Sequence, residues 1–266
     1  MARHLSFLTG FLLFFVAHPG WSQQQTPARM SFTVGAGYDQ GDFGTTEISR
    51  AVYFPIGFRY TAARYELGVT TSVARLSAPG GVALIDGVPT PIGDDIRPFR
   101  ETGAGDTIVQ ARLFLVEDRG ARTSAPGLSP FFRLKIPTAD AERGLGTGKA
   151  DFTVGIEVDK DLGPAFLFGD AGYTFVGKVP GLNLRDRGMA SIGVGKMLSD
   201  AVSVSGLLDW RRSIIPGNSD PTDLVGIVTF RIGTTTVSPN AFLGLTDGSP
   251  DFGAGLQVRF RFTSTR

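Results

Sequence analysis

From Met30 to Phe262 one pattern keeps returning. Some ten residues alternate between apolar and polar side chains, a turn follows, and the alternation starts again. A period of two places successive side chains on opposite faces of an extended strand, so each segment has one greasy face and one polar face. About twelve such segments are legible, each near the ~9–11 residues of a tilted membrane-crossing strand. They run over 30–39, 50–61, 64–76, 104–116, 129–138, 150–160, 164–177, 185–197, 201–212, 222–232, 236–246 and 250–262. No convincing amphipathic helix interrupts them, and no stretch approaches eighteen consecutive apolar residues, so helical spans are not expected.

The faces separate sharply. Phe152, Val154, Ile156 and Val158 oppose Thr153, Gly155, Glu157 and Asp159. Val202, Val204, Gly206, Leu208 and Trp210 oppose Ser203, Ser205, Leu207, Asp209 and Arg211. Phe252, Ala254, Leu256, Val258, Phe260 and Phe262 oppose Asp251, Gly253, Gly255, Gln257, Arg259 and Arg261. A soluble β-sandwich also alternates. Two features favour a membrane barrel instead. Gly and Ala crowd the charged face, as a narrow lumen requires. Aromatics (Tyr60, Tyr173, Trp210, Phe230 and Phe262) sit near segment ends on the apolar face, where interfacial girdles lie. The expected fold is all-β, an antiparallel transmembrane β-barrel of about twelve strands.

Connections support this. "TAAR", "KDLGP", "LSDA" and "GTT" are tight, while 40–49, 77–103, 139–149, 178–184, 213–221 and 247–249 are mostly longer. Short and long connections thus alternate, as at the two ends of an outer-membrane barrel. The stretch 117–128 should be short and is not.

The N-terminus fixes the compartment. "MARH" is a basic start, Leu5 to Ala17 an apolar core too short to span as a helix, and "HPGWSQ" offers a cut after Ser22. The expected organisation is a signal peptide at 1–22, a short segment at 23–29 and a single barrel domain at 30–266. Both histidines, His4 and His18, lie in the leader, and the chain has no cysteine. A mature chain without His or Cys excludes Ser-His-Asp and Cys-His nucleophiles and His-ligated metals. Losing Arg3 leaves 25 basic and 25 acidic residues, so no net charge favours nucleic acid. No cofactor and no resident metal are expected.

The stretch "GLGTGKA", Gly144 to Ala150, tests for a phosphate-binding loop and fails. The first glycine of that motif would fall at Arg143, the hydroxyl position is Ala150, and a strand pattern follows where a helix is needed.

Several stretches resemble a family of predicted outer-membrane transporters associated with the meta-cleavage pathway of phenol degradation. They are Gly37 to Tyr60, Gly103 to Leu115 and, most clearly, Leu134 to Gly177. The family's K-x-P-T-G-D turn reads "KIPTAD" here, with Ala139 in place of Gly, and its G-T-G-x-x-D runs intact from Gly146 to Asp151. The resemblance implies an outer-membrane barrel that passes small molecules, with no catalytic residues.

On the barrel reading, the candidate pore-lining residues are Arg59, Glu66, Asp106, Arg112, Arg133, Lys135, Glu157, Asp159, Asp170, Asp209, Arg211, Arg231, Arg259 and Arg261. Charged linings filter solutes; they also pair across strands, because lone buried charges are costly. Phe131, Phe166, Phe168 and Phe242 are the candidate apolar lumen residues. They form either a track for hydrophobic solutes or a packing surface for an inserted loop. The obvious loop is 77–103, whose "VALI" and "IRPF" pieces are apolar. Asp42, Asp94, Asp95 and Asp140 in the loops are solvated acids or cation bridges to lipopolysaccharide. Phe260 and Phe262 resemble the terminal signal read by the outer-membrane assembly machinery, although "TSTR" follows. The expected partners are therefore outer-membrane lipid, lipopolysaccharide, that machinery and a small solute. The leading functional expectation is a passive outer-membrane channel for small hydrophobic or aromatic solutes. The alternatives are a barrel serving as surface scaffold and, further off, an enzyme acting on lipid or peptide.

Overall fold

In the computed structural model the described residues are 29–42, 48–78, 82–85, 88–91, 99–121 and 123–263. The expected signal peptide and the segment after it, apart from Arg29, lie outside them. So do Asp94 and Asp95.

The elements are β1 (Arg29–Gly41), β2 (Ser49–Thr61), β3 (Tyr65–Ala78), β4 (Val82–Ile85), β5 (Val88–Pro91), β6 (Phe99–Ala104), β7 (Thr107–Leu113), β8 (Gly127–Ile136), β9 (Asp151–Asp161), β10 (Ala165–Phe175), β11 (Arg187–Met197), β12 (Val202–Arg211), β13 (Thr222–Ile232), β14 (Thr235–Gly244) and β15 (Phe252–Thr263). From β7 to β15 and from β1 to β3, neighbours along the chain pair antiparallel, β4 and β5 form a separate hairpin, and β15 returns to β1, with Arg29 opposite Thr263 and Phe32 opposite Phe260. The sheet therefore closes and has no free edge. Its thirteen strands make twelve staves, because β6 and β7 share one against β3. The fold is the expected antiparallel twelve-strand barrel.

The outward face explains why the barrel closes. Phe54, Ile56 and Phe58 on β2, Ile192 and Val194 on β11, and Leu256, Phe260 and Phe262 on β15 are all exposed. So contiguous an apolar belt aggregates in water and is satisfied only by hydrocarbon. Aromatics bound the belt. Tyr60 and Tyr65 stand 6.1 Å apart at the short-turn end. Phe152, Phe175 and Tyr173 cluster at the other end, with centroids 6.4 and 5.2 Å apart.

The expected segment 104–116 needs correction. The chain enters that stave earlier, at Phe99, and breaks at Gly105–Asp106. Gly105 still donates to the Ser72 carbonyl at 2.8 Å, and a β-carbon there would meet Ser72 Oγ at 2.4 Å. Only glycine passes so close. Asp106 then points at the loop after β8. A pairing break of this kind leaves the local alternation intact, so the sequence reads straight through it.

The overlong 114–126 connection is pinned rather than loose. Leu115 and Val116 both donate to the Leu128 carbonyl. Asp118 accepts from Gly120 N–H, from Asp161 N–H and from Lys160 Nζ at 2.5 Å. Burial would raise the Asp118 pKa, but these hydrogen bonds outweigh it and hold the carboxyl below its ordinary value.

Candidate functional site: the barrel interior

The five buried aromatics of the inward strand faces follow one rule: each faces a glycine directly across the neighbouring strand. Tyr53 pairs with Gly37, Phe131 with Gly155, Phe166 with Gly195, Phe168 with Gly193, and Phe242 with Gly253. A β-carbon on those glycines would fall 2.0–2.4 Å from the facing ring. The rings therefore lie down over the glycines, against the barrel wall. This is the physical reason for the glycines on the charged face. Phe166, Phe168 and Phe242 join Leu207, Val225 and Ile227 in one apolar wall across β10–β14. Phe131 lies apart from them, with the Arg133 guanidinium 4.4 Å above its ring.

The inward charges gather into networks. Arg112 on β7 reaches Glu66 and Glu157 at 2.7 Å each, and Arg59 adds a 3.5 Å contact to Glu66. Arg133 donates to Gln110 at 2.9 Å. Lys135 sits 2.6 Å from Asp151 and 3.6 Å from Asp106, and donates to Thr147 at 3.2 Å. Asp170 accepts from Ser191. Asp209 and Asp223 are direct cross-strand partners, an arrangement that like charges make unfavourable. Arg211 resolves it by standing 2.6 Å from both, and all three side chains are 0% exposed.

The remaining arginines form an arc near the short-turn mouth. Arg59 on β2 and Arg261 on β15 flank Ser31 of β1. Arg259 on β15 and Arg231 on β13 flank Thr236 of β14. Asp159 is half-buried on the opposite wall, beside Gly127.

The long-loop mouth is capped. Leu145 and Ala139, from the loop after β8, pack on the inward residues Tyr53, Ala74, Leu76 and Ala78. Leu145 is 2% exposed. Within "GLGTGKA", Leu145 and Gly146 are buried in the barrel mouth, whereas Gly148, Lys149 and Ala150 stay exposed. The inserted apolar group comes from this loop. The 77–103 stretch, the loop expected to plug the bore, yields the β4–β5 hairpin and β6 within its described part, and most of its "IRPF" piece lies outside the described residues. Asp106 fastens the cap by accepting from Ala139 N–H at 3.1 Å. Arg143 adds an ion pair to Glu101 at 2.5 Å. On the far side, Val176 and Leu184 of the β10–β11 loop pack with Ile214 of the β12–β13 loop. The β14–β15 loop locks on through Ser249, whose hydroxyl accepts from Thr222 N–H at 2.8 Å.

Asp140 serves its own turn, accepting from Glu142 and Arg143 N–H. Among the described residues no group of three or more acids is arranged to hold a metal.

All fourteen charged candidates and all four phenylalanines fall on the inward side or at its loop rim. Sequence reasoning left out Asp39, Arg187 and Asp223, which are equally buried. The signal was present: Asp223 shares its parity with Arg231 on the same strand.

No protein-family model matches the sequence, and no curated protein does. Solved structures do. An outer-membrane channel from Pseudomonas putida F1 is 15% identical, with a TM-score of 0.64, over 92% of this chain and all of that one. The translocator domain of the autotransporter NalP from Neisseria meningitidis is 13% identical, with a TM-score of 0.57, over 96% and 95%. At such identities the likeness establishes the barrel fold, which hosts more than one function.

Proposed function

We propose that this chain is an outer-membrane channel for passive passage of small hydrophobic or aromatic solutes. One observation carries the reading. The aromatic rings of β10 and β14 lie flat on wall glycines and merge with Leu207, Val225 and Ile227 into a continuous apolar track inside the barrel. All six side chains are 9% exposed or less, so the track is packed over in this conformation and passage requires it to part. The resemblance to meta-pathway transporters supports aromatic solutes. The leader at 1–22 supports export to the Gram-negative envelope, where the belt meets lipid and lipopolysaccharide. Phe260 and Phe262 suit recognition by the assembly machinery. With Leu145 seated, the long-loop mouth is shut, so passage requires the cap to lift.

Purified barrel in liposomes tests this. Uptake of small aromatic solutes above protein-free vesicles is expected, with larger uptake in a Leu145→Ala variant. Absence of flux in both would sink the reading. A sealed, non-transport scaffold is the second reading, favoured by the complete burial of Arg211, Asp209 and Asp223. It requires that loosening the cap leave permeability unchanged.

A further inference from the structure

The arginines near the short-turn mouth have a common setting. The inward faces of β13, β14, β15, β1 and β2 in that half carry Arg231, Arg259, Arg261, Arg59 and, at the exposed start of β1, Arg29, and no acid; Asp223 and Asp39 lie at the far ends of their strands. With strands ~4.8 Å apart, residues flanking one intervening strand stand about 10 Å from each other at the backbone. That is within reach of two guanidinium arms closing on one small anion. Between them lie only hydroxyl groups: Ser31, Thr33 and Thr236.

The opposite wall is different. Glu66 and Glu157 are both engaged by Arg112, and Asp118 by Lys160. Glu66 is also shared with Arg59 of the arc, and Asp159 stands half-buried on that wall. Arg29, Arg231, Arg259 and Arg261 still leave cations in excess, so the arc sets the sign of the field at this mouth.

Solvent reaches the arc. Arg231 and Arg261 are part-exposed, as are Ser203, Thr229 and Ser238 beside them, whereas Ile227 and Phe168 further in are buried. On β13, Arg231, Thr229, Ile227 and Val225 follow at every second position. One face thus passes from guanidinium through hydroxyl to aliphatic. The apolar track begins where the arc ends.

We infer that this vestibule binds organic anions with a carboxylate head and an apolar body, and that the channel prefers them over cations of the same shape. Guanidinium forks match a carboxylate with paired, charge-assisted hydrogen bonds. The body then lies along Ile227, Leu207 and Phe168. This inference rests on the channel reading for transport, but binding can be tested without it.

The probes are benzoate, phenyltrimethylammonium and acetate. The proteins are the wild-type barrel and an Arg259→Gln/Arg261→Gln variant, with folding checked by heat-modifiable gel mobility. In liposomes, benzoate is expected to enter about tenfold faster than phenyltrimethylammonium, the low end of what a one-signed cleft achieves. The variant should lose most of that ratio. By titration calorimetry in detergent, benzoate should bind more tightly than acetate and weaken in the variant. Equal flux of the two ring probes would overturn the inference and leave the channel standing. No flux of any probe, with arginine-dependent benzoate binding, would overturn the channel and leave the binding site. Neither preference nor binding would overturn both.

Discussion

The two mouths of this barrel are built by opposite means. The short-turn mouth keeps hydroxyls and arginines within reach of water and, apart from the pinned 114–126 connection, is bridged by turns too brief to fold inward. The long-loop mouth is filled. Leu145 sits on Leu76 and Tyr53, Lys135 is clamped to Asp151, and Arg211 holds two facing carboxylates. The difference shows where this protein places its order. Loops long enough to carry apolar residues back over the rim make a cap, and the charges under a cap must be paired because no water reaches them.

The sharpest way to break the comparison is to unpair those charges. Arg211→Met strands Asp209 and Asp223 against each other in a dry site. It should cost about 3–5 kcal/mol, read from urea unfolding of the lipid-reconstituted barrel. Adding Asp209→Asn and Asp223→Asn should restore most of that loss. A single variant as stable as the parent would show that this mouth is wet.

Leu145→Ala attacks the cap directly. Removing a buried leucine side chain costs about 2–5 kcal/mol, and here the cost falls on loop docking. Single-channel recordings should show a higher open probability, with barrel unfolding little changed. Unaltered gating would mean that the cap is held elsewhere.

Gly195→Ala tests the track between the mouths. The new methyl lands 2.1 Å from Phe166 Cζ and must lift the ring off the wall. Overpacking of this kind costs about 1–3 kcal/mol. Flux of an aromatic solute should fall while the fold persists, and unchanged flux would remove the ring from the path.

The smallest effect lies at the short-turn end, in the pinned 114–126 connection. Asp118 has a folded pKa below its ordinary 3.8, so its contribution is complete above that value and is lost as pH falls through the lower folded one. Asp118→Asn should loosen the connection by no more than about 1 kcal/mol. Hydrogen exchange across 114–126 should rise in the variant at neutral pH, and in the parent only in strong acid. Acid-independent exchange would assign the pinning to the Leu128 backbone bonds alone.

Much of this was legible along the chain. Alternation located the strands to within a few residues and placed Arg112, Glu157 and Phe168 on the inward face. It also marked 117–128, which overlaps the observed 114–126 connection, as anomalous without saying why. The reason lies in a contact between Asp118 and the end of β9, some forty residues away, which no local pattern encodes. The cap contributed by the loop after β8 went unforeseen for a related reason. The 77–103 stretch is longer and greasier and drew the expectation, and it spends part of itself on the β4–β5 hairpin and on β6. The shorter loop after β8 has its leucine where Gly103, lacking a side chain, leaves room for it.

By itself the sequence determined the period, and the period determined the faces. A chain whose segments are apolar on one side and charged on the other, with small residues crowding the charged side and aromatics at the segment ends of the apolar side, points to a barrel closed inside a membrane. Only the tertiary structure decided register, because register depends on which residues meet across strands distant in sequence. Register put five aromatic rings over five glycines, placed Arg211 between two aspartates, and gathered a set of arginines at one mouth. Those meetings, more than composition, give this lumen its polarity from end to end.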